Sequence, residues 1–184
     1  MAPKLEQVFA MRGYMSKENT VNLKEIKGGP VRIVVPITHG FIKGSGLEAE
    51  ILPGGGDWIL VSEHYSEVPD GLIEFYSSCT QLDTSTGVAH LDVRTQARTS
   101  DGHELYVHYH GVLKIDEAAN KVLAWSPDAK TTKSGEHEWF SAPIIETSDP
   151  KFKWVETSLW VGQGHWVADE TGFAVEYEIY KVVN

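Results

Sequence analysis

Apolar and polar residues alternate one by one over short stretches along most of the chain, and clusters of Gly, Pro, Asp and Ser separate those stretches. A period of two is the period of a half-buried strand. It predicts strands over Leu5–Met11, Val31–Ile37, Leu47–Leu52, Trp58–Glu63, Leu72–Cys79, Val88–Arg98, Glu104–Ile115, Glu138–Glu146, Ser158–Val167 and Gly172–Val182. Helical periodicity is almost absent. Ser148-Asp149-Pro150 predicts one short helical turn through Trp154, with Ser148 or Asp149 as N-cap and Pro150 in the first turn. The polar stretch Asp128–Glu136 reads as a mobile loop. So many strands leave edges that an open sheet would expose. The expected fold is therefore all-β: a single antiparallel β-barrel of about ten strands with one short helical turn, in one domain spanning residues 1–184.

The run Leu52-Pro53-Gly54-Gly55-Gly56-Asp57-Trp58 interrupts the alternation. A proline followed by three glycines predicts a tight bend between two strands, leaving Asp57 and Trp58 at the rim of the sheet. The run is not a phosphate loop, for it lacks the Lys-Ser/Thr ending and a following helix.

Thr99-Ser100-Asp101-Gly102-His103 reads as a hairpin turn, with Asp-Gly as its strongest signal. Placing Arg98 opposite Glu104 pairs opposite charges. That register sets Gln96 opposite Tyr106, Arg94 opposite His108 and Asp92 opposite His110, all on one face with His90. The other face carries Leu91, Val93, Ala97, Leu105, Val107, Tyr109 and Leu113. The polar face is either solvated or the lining of a cavity; if buried, Asp92, Arg94, His108 and His110 would need one another as partners.

The chain of 184 residues carries a formal net charge of −10. That balance argues against a nucleic-acid partner and against attraction to anionic membranes. No apolar run approaches the roughly 20 residues of a membrane span, and the first residues lack the apolar block of a signal peptide. Cys79, the single cysteine, excludes an intrachain disulfide and a cysteine metal cluster and reads as a small buried hydrophobe. A cytoplasmic location is the expectation. The length is compatible with a homodimer, although no exposed apolar stripe is legible.

Gly46 to Trp58, then Leu91-Asp92-Val93-Arg94, Thr99-Ser100-Asp101-Gly102, Tyr106-Val107, Gly111, Phe140-Ser141-Ala142-Pro143, Glu146 to Pro150, Trp154 and Leu159-Trp160-Val161-Gly162 follow one another in an order that resembles the domain-of-unknown-function 3237 family of small β-barrels. The likeness covers roughly residues 30–182, and its glycine-Asp-Trp block is the most specific part. It implies a single barrel. Some fungal relatives resemble accessory enzymes of aromatic-metabolite pathways that cyclise or isomerise without a cofactor. Two features depart from the family pattern: a longer segment near Val68 to Gly87, and histidines at 108 and 110.

The leading expectation is a cofactor-independent enzyme acting on a small aromatic or polyketide metabolite by proton-transfer isomerisation or intramolecular ring closure, as in a chalcone-isomerase-like reaction. Arg94 would hold a phenolate or enolate oxygen. His110, oriented by Asp92, would move the proton, with His108 or Tyr106 as a second donor. Trp58, Phe140 and Trp160 would wall the ligand, while Asp57 would either cap the glycine turn or stand at the cavity rim. The alternatives are a non-catalytic ligand-binding barrel and an interaction scaffold whose polar face is solvated. His108-Tyr109-His110 also invites a metal reading, with His90 as a third imidazole. Gly102 followed by His-x-His matches the first half of a cupin motif, but Lys114 and Ile115 stand where its glutamate belongs. No metal and no cofactor is therefore expected.

Overall fold

Nine strands are present among the described residues of the computed structural model, which are 2–27, 29–62 and 87–184. They are β1 (Lys4–Met15), β2 (Val21–Ile26), β3 (Gly29–Gly44), β4 (Leu47–Ser62), β5 (Val88–Thr99), β6 (Glu104–Lys114), β7 (Trp139–Thr147), β8 (Trp160–Asp169) and β9 (Gly172–Val183). All pair antiparallel in the order β1-β9-β8-β7-β6-β5-β4-β3-β2. β1 also pairs with β3, from Ala10↔Lys43 to Met15↔Ile37, and this closes an eight-stranded barrel. The remaining strand, β2, lies against the other half of β3, from Val21↔Val34 to Ile26↔Gly29. Closure satisfies the edges that an open sheet would leave bare. The all-β barrel expected from the alternation is the observed fold. The predicted strand Leu72–Cys79 and residue Cys79 lie outside the described residues.

The interior is filled by the apolar half of each strand. Burial alternates residue by residue along β5 and β7. Phe9, Val93, Val107, Leu113, Ile145 and Ile179 are each 2% exposed or less. Trp160 packs against Phe9 and Trp154, and its indole N–H donates to the Val155 carbonyl at 3.0 Å. Trp154 and Val155 belong to a 3₁₀ helix, Pro150–Thr157, capped by Asp149, which accepts from the Lys151 N–H. This is the helical turn expected after Ser148.

The glycine run is not a turn between strands. Leu47–Leu52 and the segment from Trp58 belong to one continuous strand, β4, and the run is a bulge inside it. Four steps along β4, Leu52 to Gly56, oppose two steps along β5, Gln96 to Arg94. Such extra residues bend a barrel strand. Gly54 takes φ +107°, and a Cβ on Gly55 would stand 2.5 Å from the Arg94 carbonyl oxygen. The Gln96 amide donates to the Pro53 carbonyl at 2.6 Å and stitches the bulge to β5. Asp57 is consequently placed on the barrel wall rather than at a rim.

Two elements carry too little pattern to be read from the sequence. β2 is exposed on both faces almost throughout, Val21 and Leu23 included, so it shows no inward period. A helix, α1 (Glu117–Leu123), buries only Ala119 and Val122 and is capped by Asp116. The loop at Asp128–Glu136, expected to be mobile, is tied to β8. Thr131 Oγ1 accepts from the Ala168 N–H and donates to its carbonyl, and Thr132 Oγ1 accepts from the Trp166 N–H. His137, buried beside the loop, bridges Thr132 Oγ1 through Nε2 and Asp116 Oδ2 through Nδ1.

Candidate site inside the barrel

Asp57 has the same strand parity as Ile59 and Val61, both buried, so its side chain turns inward. The β4–β5 ladder pairs Asp57 with Val93 and resumes at Leu60 with His90. In that gap Asp57 Oδ1 accepts the Asp92 N–H at 3.1 Å. Val35, Ile37, Ile59, Leu91 and Val93 line the same cavity as Asp57. Burial raises its pKa from 3.8 to about 7; the Asp92 N–H opposes the rise and the Asp92 charge adds to it.

Two phenols and two indoles share this interior. Tyr109 and Tyr177 meet edge to face with ring centroids 5.2 Å apart. Burial, the neighbouring phenol and the Asp57 carboxyl hold Tyr109 protonated well above its usual range, and burial and Asp57 do the same to Tyr177. Both are therefore neutral hydroxyl donors near pH 7. Trp139 lies 5.3 Å from Tyr177 and 4.4 Å from Trp166 between ring centroids. The Trp139 indole N–H faces the Tyr177 hydroxyl, while that of Trp166 is buried without a hydrogen-bond partner among the described residues. Orphaned buried donors are uncommon and mark places where a ligand oxygen can be received. Asp57, Tyr109, Trp139 and Trp166 all line one cavity of about 20 Å³, with Met15 and Leu123 among its other lining residues. That is room for about one water.

The hairpin register matches the sequence reading, with Arg98↔Glu104, Gln96↔Tyr106, Arg94↔His108 and Asp92↔His110. Its polar face, however, lies on the outside of the barrel. The cavity reading of that face is thus corrected: the apolar half, Tyr109 included, turns inward because it fills the core. On the outer face Asp92 Oδ1 receives Arg94 Nη1 at 3.1 Å and His108 Nε2 at 3.3 Å, with His110 Nδ1 at 3.9 Å. Arg94 also stands 5.7 Å over the Trp58 ring. Tyr106 and Phe140 are exposed on this outer surface. Val112, the cross-strand partner of Phe140, and Ile144 are exposed beside them, an apolar strip that the alternation does not reveal. Trp160 is core, six residues along β8 from the cavity-lining Trp166.

The sequence reading therefore brings together Asp92, Arg94, His108 and His110, but outside the wall. Of its residues only Asp57 reaches the cavity. It missed Tyr109, Tyr177, Trp139 and Trp166 as polar groups. Their signal was a hydroxyl or indole N–H at inward-facing positions, which alternation alone scores as apolar.

Fold and site define a class: small eight-stranded antiparallel barrels that enclose a few polar groups in an apolar interior. The chain belongs to the family described as "Protein of unknown function (DUF3237)", whose model matches residues 3–182. It is 26% identical over 162 residues to a UPF0311 protein of Clostridium acetobutylicum, covering 85% of this chain and 82% of that one. It is 24% identical to PR-toxin biosynthesis cluster protein 7 of Penicillium roqueforti, covering 88% and 78% of the two chains. Among solved structures, a conserved protein of unknown function from Rhodopseudomonas palustris superposes with a TM-score of 0.72 at 22% identity, covering 100% of this chain and 99% of that one. A β-barrel-like protein from Acinetobacter baumannii gives 0.66 at 21%, covering 99% and 97%. No helix among the described residues is long and apolar enough to cross a membrane.

Proposed function

We propose that the barrel interior catalyses proton transfer on a small carbonyl compound of secondary metabolism, an aromatic or polyketide-type molecule, using side chains alone. The reading rests on one observation: a carboxyl, Asp57, lines an otherwise largely apolar cavity together with Tyr109, Trp139 and Trp166. Its pKa near 7 suits a group that must both take and return a proton. In an isomerisation, Asp57 removes a proton from the carbon beside the carbonyl and returns it elsewhere on the conjugated system. In a ring closure it removes a hydroxyl proton as that oxygen adds to a conjugated double bond, and the α-carbon is then reprotonated. In either case the electron pair rests on the carbonyl oxygen, where the Tyr109 hydroxyl and the Trp166 N–H supply hydrogen bonds. A ring-sized substrate requires side chains that line the cavity to move outward. The similarity to a PR-toxin cluster protein supports the choice of secondary metabolites.

The test is product analysis. Purified protein is incubated with phenolic polyketides and chalcone-like compounds, and conversion is followed by mass spectrometry and chiral chromatography. Stereoselective conversion is expected, falling about 10²- to 10⁴-fold in Asp57→Asn and persisting in Arg94→Ala. Equal turnover by Asp57→Asn removes the assignment. A compound retained through gel filtration without conversion replaces it with a ligand-binding barrel.

A further inference from the structure

On the outer wall of the barrel, away from the cavity, three side chains from two strands turn metal-ligating atoms toward one another. β6 presents His108 and His110 at i and i+2, which point the same way because strand period is two. β5 presents Asp92 directly across from His110. Asp92 Oδ1 is 3.3 Å from His108 Nε2 and 3.9 Å from His110 Nδ1, and the three donor atoms all lie within 4.8 Å of one another. Donors held at zinc–ligand lengths in a tetrahedron stand about 3.3–3.5 Å apart. Small side-chain rotations therefore bring this set onto one ion.

We propose that Asp92, His108 and His110 form a binding site for a divalent transition metal such as Zn²⁺, with the fourth position open to water. Two imidazoles and one carboxylate select Zn²⁺, Co²⁺, Ni²⁺ or Cu²⁺ over Mg²⁺ and Ca²⁺, which demand more oxygen ligands. Three ligands plus an open position is the donor count of exchangeable zinc sites rather than of closed structural ones. The cross-strand carboxylate is what the local His-x-His pattern lacked. The sequence offered no glutamate downstream, whereas strand pairing delivers Asp92 from sixteen residues upstream.

Arg94 competes for the same oxygen, at 3.1 Å from Asp92 Oδ1. Its guanidinium also lies over the Trp58 ring, so it has a second resting place when the ion takes the carboxylate. The bound ion ties β5 to β6 and, because it binds the folded chain alone, raises its thermal stability.

The experiment is calorimetric titration of the full, tag-free chain with ZnCl₂, with Co²⁺ absorption as a readout of ligand geometry and thermal melting of each variant as a check of folding. One equivalent binds, and Co²⁺ gives visible bands of low-coordinate nitrogen–oxygen ligation. Changes even beyond the ligand shell weaken metal sites about 10- to 100-fold, so His108→Ala and His110→Ala each cost more than tenfold. The His110 side chain is 69% exposed, so its loss leaves the barrel folded. Arg94→Ala tightens binding several-fold. His103→Ala, in the separate Asp101–His103–Asp149 cluster, changes nothing. Binding well below one equivalent, affinity unmoved by both His108→Ala and His110→Ala, or loss of binding in His103→Ala overturns the proposal.

Discussion

The backbone N–H of Asp92 donates to Asp57 Oδ1 at 3.1 Å on the inner side of the barrel wall, while the Asp92 carboxylate faces outward to Arg94 and His108. One residue of β5 thus serves two polar groups on opposite faces of the same sheet. The inner contact exists because the bulge of β4 delivers Asp57 where the β4–β5 ladder is interrupted, so a side-chain oxygen takes an N–H that no β4 carbonyl takes.

That placement makes stability depend on pH. Asp57 has a folded pKa of about 7 against 3.8 when exposed to water. Between those values the folded chain holds a proton that the unfolded chain has released. The contribution is complete below about pH 4, declines as pH rises, and is lost above about 7. Three pKa units correspond to roughly 4 kcal/mol, as an order of magnitude. Urea unfolding at pH 4.5 and pH 8 measures it. Asp57→Asn is expected to flatten the wild-type decline, and an equal slope in both proteins would show that the carboxyl is solvated.

The bulge itself depends on close backbone approach. A Cβ on Gly55 would meet the Arg94 carbonyl oxygen at 2.5 Å and Thr95 Cα at 2.9 Å, both backbone atoms that cannot rotate away. Gly55→Ala is expected to cost about 1–3 kcal/mol, as overpacking does, read as a lower denaturation midpoint. Were the run an exposed turn, the same change would be neutral.

His137 is a structural pin. It is buried and joins Asp116, which caps α1, to Thr132, which is itself tied to β8. His137→Ala removes both bonds, which together cost about 1–3 kcal/mol. Hydrogen exchange should quicken at Ala119 and Trp166, whose N–H groups bond to Asp116 and Thr132, and remain slow at the centre of β6.

Thr95 is 1% exposed, yet its hydroxyl has no hydrogen-bond partner among the described residues. Val fits the same volume without the orphaned group. Thr95→Val is expected to leave stability unchanged or raise it by about 1 kcal/mol, measured by thermal melting. A clear loss would reveal a hydrogen bond to that oxygen.

Alternation alone determined much of this protein. It carried the barrel class, most strand positions and the β5–β6 register, down to the Arg98–Glu104 pair at 2.8 Å. These are local properties, set by which face of a strand is apolar and by the charge at each end of a hairpin. The Asp149 cap of the 3₁₀ helix was legible for the same reason. Which face turns inward was a tertiary decision: a closed barrel buries the apolar half of β5 and β6 and leaves Asp92, Arg94, His108 and His110 outside. The glycine run reads as a turn locally, and only pairing with β3 and β5 on both sides makes it a bulge within a continuous strand. The inner site gathers Asp57 from β4, Tyr109 from β6, Trp139 from β7, Trp166 from β8 and Tyr177 from β9. Those residues are spread over 120 positions of chain, and barrel closure alone brings their polar atoms together.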